Sequence, residues 1–195
     1  EVVSYDSFIN EGAGNSNISF KAADITRDEI ALPAGTTAVV YLAQSPYYHT
    51  FPEHADHLVG VNVVGAIKTA IAAHGQGCRF FCFASTGSVY QKSFMPLSET
   101  SPVQRGNHYV LSKLTSEEIL HLFPRDRMQS MCVRLFGLFG PSQRTMLPSI
   151  LHSKVQRREP IVLHPQSADD RDPEGLTLSF CFVEDAARSI IRLAD

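Results

Sequence analysis

Two side chains suited to acid–base chemistry, Tyr109 and Lys113, stand four residues apart in the second half of the sequence. In a helix, residues at this spacing share one face and lie one turn apart. Since a nearby ammonium stabilises a phenolate, we expect Lys113 to lower the pKa of Tyr109 from about 10 toward working pH. Tyr109 would then act as a general acid or base toward a hydroxyl or carbonyl oxygen. The spacing alone is equally typical of an exposed helical tyrosine with an unrelated lysine.

A pair of hydroxyls, Ser85 and Thr86, ends a run of apolar residues that begins after Arg79. Such a run is typical of a buried strand, and open α/β sheets bind their ligands at the carboxyl ends of strands. The two hydroxyls would there hydrogen-bond the oxygen whose proton Tyr109 exchanges. Taken alone, Ser-Thr after a strand is a common turn or cap. Only its combination with the Tyr–Lys pair predicts a catalytic centre.

The elements that must position these residues alternate between strands and helices. Short apolar runs predict strands, and apolar residues recurring every three or four positions predict helices. Strands are predicted at 1–6, 18–24, 37–43, 79–85, 130–136 and 160–163, and helices at 53–74, 107–123, 146–156 and 184–194. This alternation predicts an α/β fold with a doubly wound parallel sheet and helices on both faces. The run at 37–43 predicts a strand buried on both faces. A boundary is expected near residue 140, where the clean alternation ends.

Composition and charge argue against several classes of partner. The chain has 195 residues, 44% hydrophobic and 19% charged, as in an ordinary globular protein with a substantial core. A formal charge of −3 without runs gives no basis for nucleic-acid binding. No apolar run approaches the ~20 residues that cross a bilayer, so no membrane partner is expected. The eight histidines are scattered and the cysteines lie in apolar stretches, so no metal is expected.

Four cysteines, each inside an apolar stretch, are the remaining compositional signal: Cys78, Cys82, Cys132 and Cys181. Cysteines in such stretches are usually buried small hydrophobic residues of a reducing compartment. A cytoplasmic location is therefore expected.

Six segments resemble, in the right order, the landmarks of a known family. They are Ala38-Val-Val-Tyr-Leu-Ala43, Asn62-Val-Val-Gly65, Phe83-Ala-Ser-Thr-Gly-Ser-Val-Tyr90, Tyr109-Val-Leu-Ser-Lys113, Arg134-Leu-Phe-Gly-Leu-Phe-Gly-Pro141 and Phe182-Val-Glu-Asp185. The family is the extended short-chain dehydrogenase/reductase superfamily, specifically its NAD-dependent epimerase/dehydratase group. The third segment resembles the one that carries the catalytic Ser or Thr, and its register places that role on Thr86, with Ser85 behind it. The resemblance implies a Rossmann fold with NAD as cofactor.

The same resemblance implies which residues hold the cofactor. Asp6 fits the acid that ends the family's second strand, where a carboxylate accepts from the adenosine ribose and disfavours the 2′-phosphate of NADP. Asp24 and Ile25 resemble the pair that borders the adenine. Lys113 would also hold the nicotinamide ribose, and Phe136 would lie near the nicotinamide. The implied set is completed by Leu42, Ala43, Gln44, Asn62, Ala84 and Tyr109.

The resemblance also implies that this sequence is part of a longer protein. The family's first strand, Gly-rich phosphate loop and first helix would precede Glu1. Residues 1–140 are therefore predicted to be an incomplete NAD-binding Rossmann domain lacking its first βα unit. Residues 141–195 are predicted to be part of a small substrate-binding region interleaved with the last Rossmann elements. Dehydratases of the group carry Asp-Glu after the catalytic Thr, whereas Gly87-Ser88 follow Thr86, which disfavours dehydration.

The predicted function is that of an NAD-dependent epimerase or dehydrogenase. Its substrate would be a small molecule with a secondary alcohol or ketone, in a sugar or a sugar-nucleotide-like compound. Epimerisation and simple carbonyl reduction use the same groups, and the sequence does not separate them. The alternative is a relative that binds a nucleotide or a partner protein without turnover, although retention of Tyr109, Lys113 and Thr86 argues against it. Homodimer formation is a further expectation.

Overall fold

The computed structural model describes residues 2–6, 18–141, 143–144, 146–162 and 178–194. Its strands are β1 (Val2–Asp6), β2 (Ile18–Ala22), β3 (Ala38–Tyr41), β4 (Phe80–Thr86), β5 (Gln129–Leu135), β6 (Leu138–Phe139) and β7 (Cys181–Phe182). Its α-helices are α1 (Ala55–Val59), α2 (Ala66–Gly75), α3 (His108–Leu120), α4 (Leu147–Gln156) and α5 (Val183–Ala194). A π-helical segment, Gly60–Gly65, joins α1 to α2. The chain forms two compact units, residues 1–134 and 135–195.

The first unit contains two sheets with parallel pairing. In one, β1 lies beside β2, from Val2 opposite Ile18 to Asp6 opposite Ala22. In the other, the order is β3-β4-β5, and β3 runs parallel to β4. Parallel strands separated by helices in the sequence confirm the predicted α/β architecture.

The core of the first unit is built around β4, whose apolar run predicted a strand covered on both faces. Phe81, Cys82 and Phe83 are fully buried. Alanines line the inner side of α2, and their small side chains let the helix approach the sheet closely. The buried cluster consists of Leu32, Tyr41, Ala66, Ala70, Ala73, Cys78, Phe81, Phe83, Leu120 and Met128.

Strand β3 departs from its prediction. Its continuous apolar run predicted burial on both faces, but Val40 is 42% exposed and Leu42, just beyond the strand, is 63% exposed. Alternate residues of a strand point to opposite faces, and only the face with Val39 and Tyr41 packs on the core cluster. The predicted strand at 160–163 is also wrong for residues 160–162, which form no strand. Pro160 lacks the backbone N–H that a sheet ladder needs.

Gly65, the last residue of the Asn-x-x-Gly segment, lets the π-helical turn pack against β3. A Cβ at this position would lie 2.6 Å from Tyr41 Oη and 2.7 Å from Ile25 Cγ1. Both distances are shorter than real Cβ contacts, so a larger residue here would force Tyr41 and Ile25 to shift. The hydroxyl of Tyr41 donates to the carbonyl of Val61, at 2.6 Å, within the same turn.

By length and composition alone, one helix in the described part of the chain could cross a membrane: the continuous helix Ala55–Gly75. This corrects the expectation that no apolar segment approaches that length. The helix is partly buried and packs on β3, β4 and α3, and core helices of globular proteins pass the same test. The expected absence of a membrane partner stays a prediction.

The second unit pairs β6 with β7 in parallel, with Leu138 opposite Cys181. Helix α5 packs on both strands. Gly137 lies close against Phe180. A Cβ added at Gly137 would be 2.8 Å from the ring carbon Cδ1. This close approach brings the segments around β6 and β7 together.

Candidate active site

Helix α3 begins where it does because Asn107 caps it. The Asn107 side-chain oxygen accepts from the backbone N–H of Tyr109, at 2.9 Å, and from that of Val110, at 3.2 Å. This satisfies two of the four donors that a helix leaves unpaired at its start. The cap fixes Tyr109 in the first turn of the helix.

The phenol of Tyr109 meets polar side chains from the ends of two strands. Its hydroxyl donates to Gln44 Oε1, at 3.3 Å, in the segment after β3. It also hydrogen-bonds with the side chain of Thr86, the last residue of β4. The structure therefore brings together Tyr109, Thr86 and Gln44 of the predicted set at the carboxyl end of the sheet.

The direction of the pKa shift at Tyr109 is opposite to the predicted one. Burial raises the pKa of the phenol, and the hydrogen bonds with Thr86 and Gln44 only partly oppose this. The expected lowering by Lys113 is wrong because the ammonium points elsewhere. Lys113 Nζ donates to the carbonyl oxygen of Ala84, at 2.9 Å, and lies 4.8 Å from the centroid of the Phe83 ring.

Lys113 itself is only 2% exposed, which is rare for a charged residue. Burial lowers its pKa to about 8, and the charge of Glu117, one helical turn further along, opposes that shift. The carbonyl of Ala84 accepts from Lys113, and the implied cofactor role of Ala84 stays a prediction.

Ser85, the residue before Thr86 on β4, contacts α3 at a different position from Thr86. Its hydroxyl donates to Glu117 Oε1 in a buried hydrogen bond. The expectation that both hydroxyls face one substrate oxygen is therefore wrong for Ser85. Of these two hydroxyls, only that of Thr86 lies beside the phenol of Tyr109.

Asn62 is fully buried in the π-helical turn, and its side-chain amide is already engaged. The amide nitrogen donates to Ser112 Oγ, at 3.0 Å, and the amide oxygen accepts from the backbone N–H of Ser45, at 3.1 Å. Asn62 thus ties the segment after β3 to α3. This contact set makes it a positioning residue for Gln44 and Tyr109 rather than a surface that touches a cofactor.

Two carboxylates mark the carboxyl edge of the β1–β2 sheet. Asp6 is the exposed last residue of β1, and its carbonyl accepts from the backbone N–H of Ala23, at 2.9 Å. Asp24 is the residue after Ala23, and hydrogen bonds from the side chain and backbone of Thr26 lower its pKa. Carboxylate oxygens at a strand end accept hydrogen bonds from ribose hydroxyls, the role implied for Asp6. Both residues fit the adenosine end of a dinucleotide.

The remaining residues of the implied cofactor set are placed less decisively. Ile25 is half-buried and packs against the core cluster. Leu42 and Ala43 are exposed after β3, in line with a surface that a ligand could cover. Phe136 belongs to the second unit, and its expected position beside the nicotinamide stays a prediction.

An aromatic group beside Tyr109 was missed by the sequence analysis. The Tyr48 ring lies 5.3 Å from the Tyr109 ring, and Phe51 stacks on His108 at 4.7 Å between ring centroids. His108 Nε2 also lies 2.9 Å from the Tyr48 carbonyl oxygen. The available signal was the unusual density of aromatic and histidine residues between positions 47 and 57.

A second omission is the ion pair of Glu117 with Arg134. Arg134 Nη2 donates to Glu117 Oε2, at 2.7 Å, and both side chains are largely buried. Glu117 stands four residues after Lys113, so a search for charges at helical spacing would have found it. Its partner on β5 is distant in the sequence, and only the fold brings the two together.

Comparison with known proteins places the chain in a family. The model of the NAD dependent epimerase/dehydratase family matches residues 2–195. The uncharacterized UDP-glucose epimerase YtcB of Bacillus subtilis (strain 168) is 23% identical over 176 residues, covering 85% of this chain and 51% of that protein.

Two solved structures share the fold. MoeE5, in complex with UDP-glucose and NAD, is 21% identical with a TM-score of 0.76, covering 100% of this chain and 63% of that one. The UDP-glucuronic acid 4-epimerase of Bacillus cereus, in complex with UDP-glucuronic acid and NAD, is 20% identical with a TM-score of 0.76. The match covers 100% of this chain and 65% of the epimerase chain. The chain thus spans about half the length of the curated relative and under two thirds of these solved chains. The predicted Rossmann fold is confirmed, and the chain belongs to the NAD-dependent epimerase/dehydratase family.

Proposed function

We propose that this protein is an NAD-dependent epimerase or dehydrogenase that acts on a secondary alcohol, or the corresponding ketone, of a sugar nucleotide. One observation carries the proposal: the phenol of Tyr109 meets the hydroxyl of Thr86 at the carboxyl end of β4. The relatives support the substrate class, since YtcB is named a UDP-glucose epimerase and MoeE5 was solved with UDP-glucose and NAD.

Tyr109 is the group that would exchange the proton. Burial raises the pKa of its phenol, so Tyr109 is protonated at neutral pH and ready to donate to a ketone oxygen. In the oxidative direction the phenolate would take the hydroxyl proton of the substrate. Thr86 would hold the same oxygen through its hydroxyl and restrict its approach to the phenol.

The residues present fit NAD. Asp6 would hold the hydroxyls of the adenosine ribose and repel the 2′-phosphate of NADP, and Asp24 would border the adenine. The ammonium of Lys113 uses one donor on Ala84, which leaves further donors for a ribose hydroxyl. When bound, NAD would supply the acceptor and donor of the hydride.

The two candidate reactions differ in the fate of the ketone. An epimerase must keep it, let it present its other face and reduce it again, whereas a dehydrogenase releases it. Both use the same proton transfer at Tyr109. The epimerase and dehydrogenase reactions are therefore distinguished by their products.

A direct test incubates the protein with NAD and, in turn, UDP-glucose, UDP-glucuronic acid and UDP-N-acetylglucosamine. Sugar products are followed by proton NMR, and reduced nicotinamide by its near-ultraviolet absorbance. A sugar epimer without net reduction of NAD would establish an epimerase, and equal amounts of ketone and reduced NAD a dehydrogenase. Binding of NAD and sugar nucleotide by calorimetry without any product would instead support the non-catalytic alternative.

We also propose that the protein is a cytoplasmic homodimer. The apolar residues Val59, Val64 and Ile71 are exposed on the continuous helix at 55–75 and could pack on a second copy. Light scattering at two protein concentrations measures the mass. A constant monomer mass would contradict the dimer, and fractionation of cells that express the protein would test the location.

A further inference from the structure

Helix α3 contacts the end of β4 through three residues spaced four positions apart, and each one binds a different residue of the strand. The pairs are Tyr109 with Thr86, Lys113 with Ala84, and Glu117 with Ser85. Residues at this spacing form one stripe along a helix. Two of the three helix residues belong to the proposed catalytic centre, which leaves the function of Glu117 to be explained.

Glu117 is 3% exposed, and its carboxylate is bound by Arg134 as well as by Ser85. Arg134 on β5 donates to its carboxylate from Nε, at 3.1 Å, and from Nη2, at 2.7 Å. The guanidinium also lies 4.8 Å from the centroid of the Tyr90 ring and donates to the Glu99 carbonyl, at 3.3 Å. A buried pair with this many partners adds little net stability, but it holds its members in one geometry.

We propose that Glu117 is a positioning residue of the catalytic centre: supported by Arg134, it holds Ser85 and thereby keeps Thr86 in register with Tyr109. Ser85 and Thr86 share a planar peptide bond, so a displacement of one moves the other. The inference rests on the proposed function for its catalytic meaning. A purely structural ion pair would stabilise the fold without affecting the phenol.

The charge of Glu117 has a second effect, on Lys113. The groups that face Lys113 are Glu117 on its own helix, the Phe83 ring and the Ala84 carbonyl on β4, and Arg134 on β5 beyond the carboxylate. Glu117 opposes the lowering of the Lys113 pKa. Removal of its charge should lower that pKa further, so activity that needs the ammonium should be lost at a lower pH.

The test compares Glu117→Gln with Glu118→Gln. Glu118 is the adjacent residue, exposed and paired with Arg105 at 3.0 Å, so its variant is the matched control. We expect Glu117→Gln to reduce kcat roughly tenfold, within the range for a small misplacement of catalytic groups. KM should change little, and the alkaline limb of the pH profile should move to lower pH. Identical kcat and pH profiles for the two variants would overturn the proposal.

Because Glu117→Gln removes the charged partner of the largely buried Arg134, it could fail to fold, and Ser85→Ala then decides. This variant keeps the ion pair and removes only the hydroxyl that links it to β4. We expect kcat to fall roughly tenfold with no movement of the alkaline limb. Unchanged kcat in Ser85→Ala would overturn the proposal.

A readout without turnover separates this inference from the proposed function. In protein labelled with ¹³C at the tyrosine Cζ, the Tyr109 resonance is assigned by its loss in Tyr109→Phe. Ser85→Ala should shift that resonance at fixed pH because the hydrogen bond with Thr86 is disturbed, whereas Glu118→Gln should not. If no sugar nucleotide is converted, the proposed function fails on its own. An unshifted Tyr109 resonance in Ser85→Ala would overturn the positioning role alone.

Discussion

Replacement of Lys113 by methionine should stabilise the protein while removing its chemistry. The side chain is 2% exposed, and burial lowers its pKa from 10.5 to about 8. A pKa difference of that size corresponds to about 3 kcal/mol by which folding disfavours the charged form. Methionine is similar in length and uncharged, so it avoids this cost.

Two lost contacts offset part of the gain from Lys113→Met. Lys113 Nζ donates to the Ala84 carbonyl, at 2.9 Å, and lies 4.8 Å from the centroid of the Phe83 ring. A buried carbonyl left without its partner costs about 1–3 kcal/mol. We therefore expect a net increase of about 1 kcal/mol in the free energy of unfolding at pH 7, together with loss of turnover.

The pH dependence identifies the origin of this gain. The folded pKa of Lys113 lies below its unfolded value, so between pH 8 and 10.5 the unfolded chain binds more protons, and wild-type stability rises with pH. The advantage of Lys113→Met should therefore be complete below about pH 8 and shrink toward pH 10.5.

The assay is urea unfolding of the wild type and Lys113→Met at a series of pH values. Lys68→Met on α2 is the matched control, because Lys68 is exposed and its charge stays in water. A clear destabilisation of Lys113→Met at pH 7, or an advantage that stays constant up to pH 10, would show that the buried charge of Lys113 does not cost stability.

Three further variants test the site and its supports. Thr86→Val, which keeps the shape and removes the hydroxyl, should lower kcat by roughly 10²-fold with little change in KM, and equal kcat would contradict its role. Gly65→Ala should lower the free energy of unfolding by about 1–3 kcal/mol, since the new Cβ would meet Tyr41 Oη at 2.6 Å, whereas Gly75→Ala has open space and should not, as thermal melts would show. Asp6→Ser should raise affinity for NADP relative to NAD, measured by calorimetry, and an unchanged ratio would exclude Asp6 from the ribose site.

Much of the fold could be predicted from the sequence because its signals are local. Asn107 before α3 and Pro124 after it delimit the helix that carries Tyr109. The exposed face of β3 could not be predicted, because a continuous apolar run does not reveal which of its faces another element covers. The expected strand at 160–163 is absent from residues 160–162, since a short apolar run does not ensure a partner strand.

The site was predicted in outline and corrected in its details. Tyr109 and Thr86 meet as expected, because the ends of parallel strands share one edge of a sheet. The pKa direction at Tyr109 was wrong, since neither burial nor the direction of the Lys113 ammonium can be read from a four-residue spacing. The contact of Ser85 with Glu117 depends on packing between α3 and β4, which no local pattern specifies.

The most direct test of Tyr109 as the acid–base group is the turnover of Tyr109→Phe with NAD and a sugar nucleotide. The variant keeps the ring and loses only the hydroxyl, so NAD affinity should stay close to that of the wild type while kcat falls roughly 10²–10⁴-fold. Tyr47→Phe is the matched control, since Tyr47 packs on His54 and His57 rather than on Thr86. A Tyr109→Phe protein whose kcat stays within about twofold of the wild type would contradict the assignment of Tyr109 as the proton-transfer group.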